Sequence, residues 1–277
     1  MLASLIAALR CPVCREGLGQ AGGALRCPRG HSFDQARQGY VHLAATPVTH
    51  PGDSAQMVAA RAEFLAAGHY AFLAEALVAS APEAGLVLDV GAGTGYYLGA
   101  VLEARPDAVG LAVDVSKPAL RRAARAHPRA GAILADAWGE LPVADGGVDV
   151  LLNVFAPRNG PEFARVLAPD GALLVAAPTA DHLAELVDAL DLLRVDPAKE
   201  ERVAAALAPW FVEKSSAVLE RVLALSHREV TTLVGMGPSA WHTAPEVLAG
   251  RVARLPEPVR VSARVRVSRY SQVALRC

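Results

Sequence analysis

Lysine is almost absent from this chain. Of 27 basic residues only Lys117, Lys199 and Lys214 are lysines, and against 28 acidic residues the formal charge is −1. Such a balance excludes nucleic-acid binding by a uniformly cationic surface, because neutralising phosphates needs clustered positive charge. No apolar run is long enough to span a bilayer, which points to a soluble protein with no membrane partner. The start, MLASLIAALRCPVC, has an apolar stretch with no basic residues ahead of it, so no secretory leader is expected and the chain reads as cytoplasmic. Cysteine is scarce as well: four in 277 residues do not make a disulfide framework, and three of them fall within the first 27 positions.

That cluster is the first positive signal. Cys11 and Cys14 are spaced C-x2-C, and Cys27 and His31 follow with C-x3-H spacing. Three thiolates and an imidazole suit tetrahedral Zn2+, and four protein ligands leave no open position for water. One structural zinc per chain is therefore expected, in a zinc ribbon whose small core depends on the metal. The competing possibility is that buried thiols and one surface histidine coincide by chance. Residues 1–45 read as this zinc-binding domain, 46–55 as a linker marked by Pro47, Pro51 and Gly52, and 56–277 as a second domain. Asp53 or Ser54 can cap a helix through MVAARAEFLAAG, and a second apolar helix runs through FLAEALVAS.

In LVLDVGAGTGYYL an apolar run ends at Asp89, and Gly91, Gly93 and Gly95 then make a turn that opens a helix. Small residues there let a cofactor approach the backbone. A second run, AVGLAVDVS, ends at Asp114, about 20 residues on, where a carboxylate can accept hydrogen bonds from both ribose hydroxyls. Further runs, AGAILADAW, VDVLLNVFAP and GALLVAAP, alternate with helical segments, so a parallel, doubly wound α/β sheet is expected. The loop lacks the G-x-G-x-x-G of dinucleotide enzymes, and D-V-G-A-G-T-G is closer to an S-adenosylmethionine motif. Asp136, followed by Ala137 and Trp138, stands where such a fold binds adenine; it is equally readable as a capped turn with a packed tryptophan.

Taken with HSFDQARQGYVHL, PGDSAQMVAARAEFLAAGHY, LDVGAGTGYY, LAVDVSKPAL, the FAP at 155–157 and TADHLAEL, the quartet gives a chain that resembles the bacterial 23S rRNA (guanine-N1)-methyltransferases over most of its length. One type in that family is linked to resistance to the macrolide tylosin. The resemblance implies a class I Rossmann-like S-adenosylmethionine-dependent methyltransferase fold behind a small N-terminal zinc ribbon, a homodimer, and as partner a 23S rRNA hairpin in domain II near the peptide exit tunnel. It also implies Cys11, Cys14, Cys27 and His31 as zinc ligands, and cofactor contacts at Tyr70, Gly93, Thr94 and His182. Some relatives carry an acidic residue where this chain has Thr94. Without the resemblance, His182 would read as a cap or a packed side chain.

On the acceptor side, the loop NVFAPRN offers Phe155 as a wall for stacking and Asn153 as a hydrogen-bond partner for the base edge; the alternative is a core phenylalanine with Pro157 in a turn. Arg10, Arg15, Arg26, Arg29 and Arg37 would supply phosphate contacts from the ribbon. FVEKSSAVLERVLAL and PVRVSARVRVSRYSQVAL read as strands and HREVTTLVGM as a helix; in the last strand Arg260, Arg264 and Arg266 share a face that either touches RNA or is simply solvated. Two other functions fit parts of the pattern: a small-molecule methyltransferase, which has little use for a zinc ribbon, and a non-enzymatic RNA-binding protein, which has little use for an intact cofactor loop.

Overall fold

A computed structural model describes residues 1–48, 52–194, 196, 198–237 and 244–273. Residues 49–51 of the expected linker and the terminal Cys277 lie outside the described residues. A short helix, α1 (Ala3–Ala8), precedes a three-stranded antiparallel ribbon of β1 (Gly19–Ala21), β2 (Ala24–Arg26) and β3 (Ser32–Asp34). β4 (Tyr40–His42) follows, then α2 (Ala55–Ala66) and α3 (Ala71–Ser80). The alternating part comprises β5 (Leu86–Val90), α4 (Tyr96–Ala104), β6 (Val109–Asp114), α5 (Lys117–Ala123), β7 (Ala130–Leu134), β8 (Val148–Val154), α6 (Gly160–Val166) and β9 (Leu167–Pro178). It ends in α7 (Ala184–Leu190), α8 (Lys199–Leu207), β10 (Phe211–Leu225), α9 (His227–Gly235), α10 (Pro245–Val252) and β11 (Val259–Gln272).

The large sheet has the order β10-β11-β9-β8-β5-β6-β7-β4. β4 to β9 pair in parallel, while β11 runs antiparallel to both β9 and β10. The expected parallel sheet is closed on one side by the antiparallel β10–β11 pair, the closure typical of the fold the chain resembles. β5 is buried along its whole length, as continuous apolar runs are when helices cover both faces. The chain leaves β5 toward β6 and β7 on one side and returns to β8 and β9 on the other. The strand order therefore reverses between β5 and β8, and a crevice opens at their carboxyl ends.

The first 45 residues do not stand apart from this sheet. Val41 of β4 pairs with Ile133 of β7, so the ribbon segment contributes the outermost parallel strand. Leu5, Ile6 and Leu9 pack with Leu111, Val113, Ile133 and Phe163 on one face of the sheet. Gly131 makes room for them, since a Cβ there would lie 2.8 Å from Leu5 Cδ1. The described part of the linker is also packed: a Cβ at Gly52 would lie 2.8 Å from the Ser116 nitrogen, and Ser54 caps α2 by accepting from Met57 N. Among the described residues no single helix is long and apolar enough to cross a membrane.

Leu5 is fully buried against the sheet. Leu5→Ala should therefore destabilise the whole chain by about 2–5 kcal/mol, read as a lower urea midpoint of one cooperative transition. A ribbon that was merely tethered would leave the midpoint of the α/β part unmoved.

Candidate functional site

The four predicted zinc ligands converge. Cys11 Sγ and Cys27 Sγ lie 3.5 and 3.3 Å from His31 Nδ1, and Cys14 Sγ lies 3.7 Å from Cys27 Sγ. All four donor atoms fall within 4.8 Å of one another. Ligands at Zn–S and Zn–N bond lengths stand about 3.5–3.8 Å apart in a tetrahedron, so the donor set fits the ion. Backbone turns pre-shape both halves: Arg15 N donates to Cys11 O, Cys11 N to Glu16 O, and Cys27 N to His31 O. Zinc bound here is structural, held through Nδ1 of His31 and three thiolates, with every position filled by protein.

At the carboxyl ends of β5 and β8 lies a cleft of about 630 Å3. Tyr70, Gly91, Gly93, Thr94, Phe155 and His182 all line it, bringing together residues from four separate stretches of sequence. Gly91 and Gly95 have φ of +78°, and Gly93 of +55°, a region where a side chain is strained. At Gly91 the demand is also steric, because a Cβ would lie 2.4 Å from Ala156 Cβ, in the loop that leaves β8. That crossing sends Phe155 outward, itself at φ +54° and 42% exposed, to the cleft mouth. Its ring stands edge-on to Tyr70 and 6.2 Å from the His182 ring.

His182 is oriented from behind. Its Nδ1 lies 2.8 Å from the Arg264 carbonyl of β11 and 3.1 Å from the Arg264 nitrogen. A carbonyl can only accept, and a nitrogen that donates cannot also accept, so the shorter contact decides: Nδ1 carries the proton. The Nε2 lone pair is then free to accept from the Tyr70 hydroxyl at 3.1 Å. Burial holds the Tyr70 hydroxyl far above the ordinary phenol range, so it remains a neutral donor.

The sequence reading passed over Asp89, Arg61 and Tyr97, which also line the cleft. Asp89 is buried, and among the described residues its Oδ2 has no hydrogen-bond partner. Burial, reinforced by the nearby Asp114 carboxylate, pushes its pKa from 3.8 up to about 8. A carboxylate inside an otherwise apolar strand was the available signal. Arg61 pairs with Asp53 and donates to Met236 O, closing one wall between α2 and the end of α9.

Other expected residues have different work. Asn153 is fully buried; its amide donates to Pro157 O at 2.8 Å and toward Val90 O at 3.4 Å, so it braces the loop beneath Phe155 and does not face a base edge. Asp136 and Asp114 are not among the residues lining the cleft. Asp136 Oδ1 accepts from Trp138 N, forming the capped turn, and Trp138 is exposed and not packed. Asp114 accepts from Gly93 N and Ser116 N, one bond to each oxygen, which leaves each a second lone pair. Arg10 donates to Ala7 O and Leu9 O, and Arg15 pairs with Glu140 and Asp145, whereas Arg26, Arg29 and Arg37 are exposed. On β11, Arg264 is held by Asp181 and Glu220 and Arg266 donates to Ser216 Oγ, while Arg260 is exposed.

Asp89 yields a pH signature. Its folded pKa of about 8 exceeds its ordinary 3.8, so the ligand-free fold loses stability as pH rises between those values. A cation seated against Asp89 favours the ionised form. Titration calorimetry with S-adenosylmethionine should thus show affinity rising with pH up to about 8, by at most roughly tenfold per unit. Asp89→Asn should remove that component, and the difference between the two proteins separates it from ionisation of the cofactor itself.

Residues 9–51 match the zinc-ribbon family model described as "RlmA, N-terminal", and residues 87–171 match a model described as "Methyltransferase domain". A Micromonospora griseorubida protein, provisionally named a 23S rRNA (guanine-N(1)-)-methyltransferase, is 58% identical over 97% of this chain and 99% of its own. The 23S rRNA (guanine(748)-N(1))-methyltransferase of Streptomyces fradiae is 51% identical over 92% of this chain and 94% of its own. A Bacillus subtilis relative, also provisionally named for the same activity, is 32% identical over 90% of each chain. Among solved structures, a chain from the complex of the Haloferax volcanii Trm112 methyltransferase activator with a methyltransferase has a TM-score of 0.54 at 18% identity, covering 80% of this chain and 99% of that one; this shows the fold alone. With a metal-binding ribbon built into a class I methyltransferase sheet, and likeness along nearly its whole length, the chain belongs to the family of S-adenosylmethionine-dependent 23S rRNA (guanine-N1)-methyltransferases.

Proposed function

We propose that this chain transfers the methyl group of S-adenosylmethionine to N1 of one guanine in a domain II hairpin of 23S rRNA near the peptide exit tunnel, acting in the cytoplasm as a homodimer and contributing to macrolide (tylosin) resistance. The observation that carries this reading is the full-length likeness to the Streptomyces fradiae enzyme, ribbon included. The sulfonium supplies an electrophilic methyl group when the cofactor is bound, and the protein's task is to set the acceptor in line with it. In this reading Tyr70, Gly93, Thr94 and His182 hold the cofactor, Gly91 and Gly95 shape the loop, and Asp114 and Asp136 serve its ribose and adenine.

N1 lies on the pairing edge of guanine, so the base must leave its stack to react. Phe155, exposed at the cleft mouth beside Tyr70 and His182, offers the surface on which it stacks. Tyr70 stays protonated and is a hydrogen-bond donor, not the group that takes the N1 proton. Arg26, Arg29 and Arg37 are the exposed ribbon arginines that reach phosphates in this reading, Arg29 standing 3.8 Å from Glu16.

Methyl transfer to unmodified 23S rRNA fragments, mapped by primer extension, tests the reading, because N1 methylation blocks pairing. One stop within the hairpin is expected, and no incorporation into naked RNA or assembled subunits would overturn the assignment. Phe155→Ala should lower kcat/KM for RNA by roughly tenfold to a hundredfold, the cost of about 1–3 kcal/mol of base stacking, while cofactor affinity measured without RNA changes little.

A further inference from the structure

We propose that Arg15 is a positioning residue of the cofactor site, through which the metal-folded knuckle fixes the loop 136–145 that carries Asp136. The proposal rests on the adenine side of the site being that loop. It gives the zinc site a second task beside RNA recognition.

Arg15 follows the zinc ligand Cys14 directly and sits at φ +64°, a strained conformation for a residue with a side chain. The hydrogen bonds from Arg15 N to Cys11 O and from Cys11 N to Glu16 O hold it there. From that position its guanidinium leaves the ribbon altogether. It donates to Leu141 O at 3.0 Å and Val143 O at 3.3 Å, and pairs with Glu140 at 3.0 Å and Asp145 at 3.5 Å. Four contacts on one stretch of six residues use the planar fork of arginine in a way an ammonium could not reproduce.

The same stretch is gripped from the α/β side by Arg165, which donates to Leu141 O at 2.8 Å, Val143 O at 2.9 Å and Asp145. Glu162 accepts from Leu141 N at 2.7 Å, and backbone bonds from Arg10 N to Pro142 O and from Ala144 N to Ala8 O complete the clamp. At its other end the loop is pinned by Asn159, whose amide donates to Ala137 O and Gly139 O, and by the Asp136 turn itself. The backbone from 137 to 145 is therefore stretched between a fixed point beside Asp136 and a double arginine clamp. One arm of the clamp belongs to a segment whose shape depends on a metal.

The test is titration calorimetry of S-adenosylmethionine, without RNA, on full-length protein whose zinc content has been measured by metal release. Arg15→Gln should keep one zinc per chain and a cooperative melt, yet bind the cofactor about tenfold more weakly. Arg15→Lys should recover part of that loss, since it restores the charge without the fork. Chelating zinc from the wild-type protein should weaken cofactor binding in the same direction, and chelating it from Arg15→Gln should add little further, because both changes release the same arm. A role confined to stability would lower the melting temperature of Arg15→Gln and leave the dissociation constant at the wild-type value; that result overturns the proposal. Asp136→Asn separates the two layers: if it binds normally while Arg15→Gln does not, the coupling stands and the assignment of Asp136 to adenine falls.

Discussion

Ala156 occupies the space that any side chain at position 91 would need, its Cβ standing 2.4 Å from where the Cβ of residue 91 would lie. The chain leaving β8 can cross the turn after β5 only because that turn is glycine. Nearly everything at the cleft mouth depends on this crossing. It brings Phe155 out at a positive φ, within ring contact of Tyr70 and His182, and it places Asn153 beneath, where the amide ties β5 to the Pro157 carbonyl. The aromatic group at the mouth is assembled from α3, β8 and the segment before α7, none of which would meet if the two loops stood one side chain further apart.

Charge gives the cleft its direction. Asp89 lines the cleft buried, with an oxygen that has no hydrogen-bond partner among the described residues, and an isolated buried carboxylate is costly unless something cationic meets it. Arg61, which also reaches the cleft, is already satisfied by Asp53 and the Met236 carbonyl. The inner end therefore favours a positive group, and the mouth, lined by Phe155, Tyr70 and His182, favours a flat one. Those are the two ends of the reaction this family performs.

The features legible in the sequence were those written in local spacing. The C-x2-C and C-x3-H pairs, the glycine turn after an apolar run, and the alternation of β11 each need only neighbours to be recognised, and each has its place in the structure. Tyr70 and His182 are hydrogen-bonded in the structure but lie 112 residues apart in the chain; only the family resemblance brought them forward, because nothing local marks a tyrosine before α3 or a histidine before α7 as partners. What stayed hidden was non-local. That β4 would pair with β7, or that α1 would cover the sheet, is decided by which apolar surfaces remain uncovered once the rest has packed. Asn153 is non-local in the same way: the amide of this residue near a strand end is taken by the Pro157 and Val90 carbonyls once the chain folds back, while its buried Oδ1 has no hydrogen-bond partner among the described residues.

The pairing of Val41 with Ile133 orders events in time as well as space. During synthesis the ribbon emerges before β7 exists, with its own ligands complete and its metal able to bind at once. β4 and α1 must then wait, their apolar faces open to water, until the strands they cover have been made. The segment made first is thus among the last to dock, and for that interval the nascent chain leaves open Leu5, Leu9 and Val41, each fully buried in the finished protein.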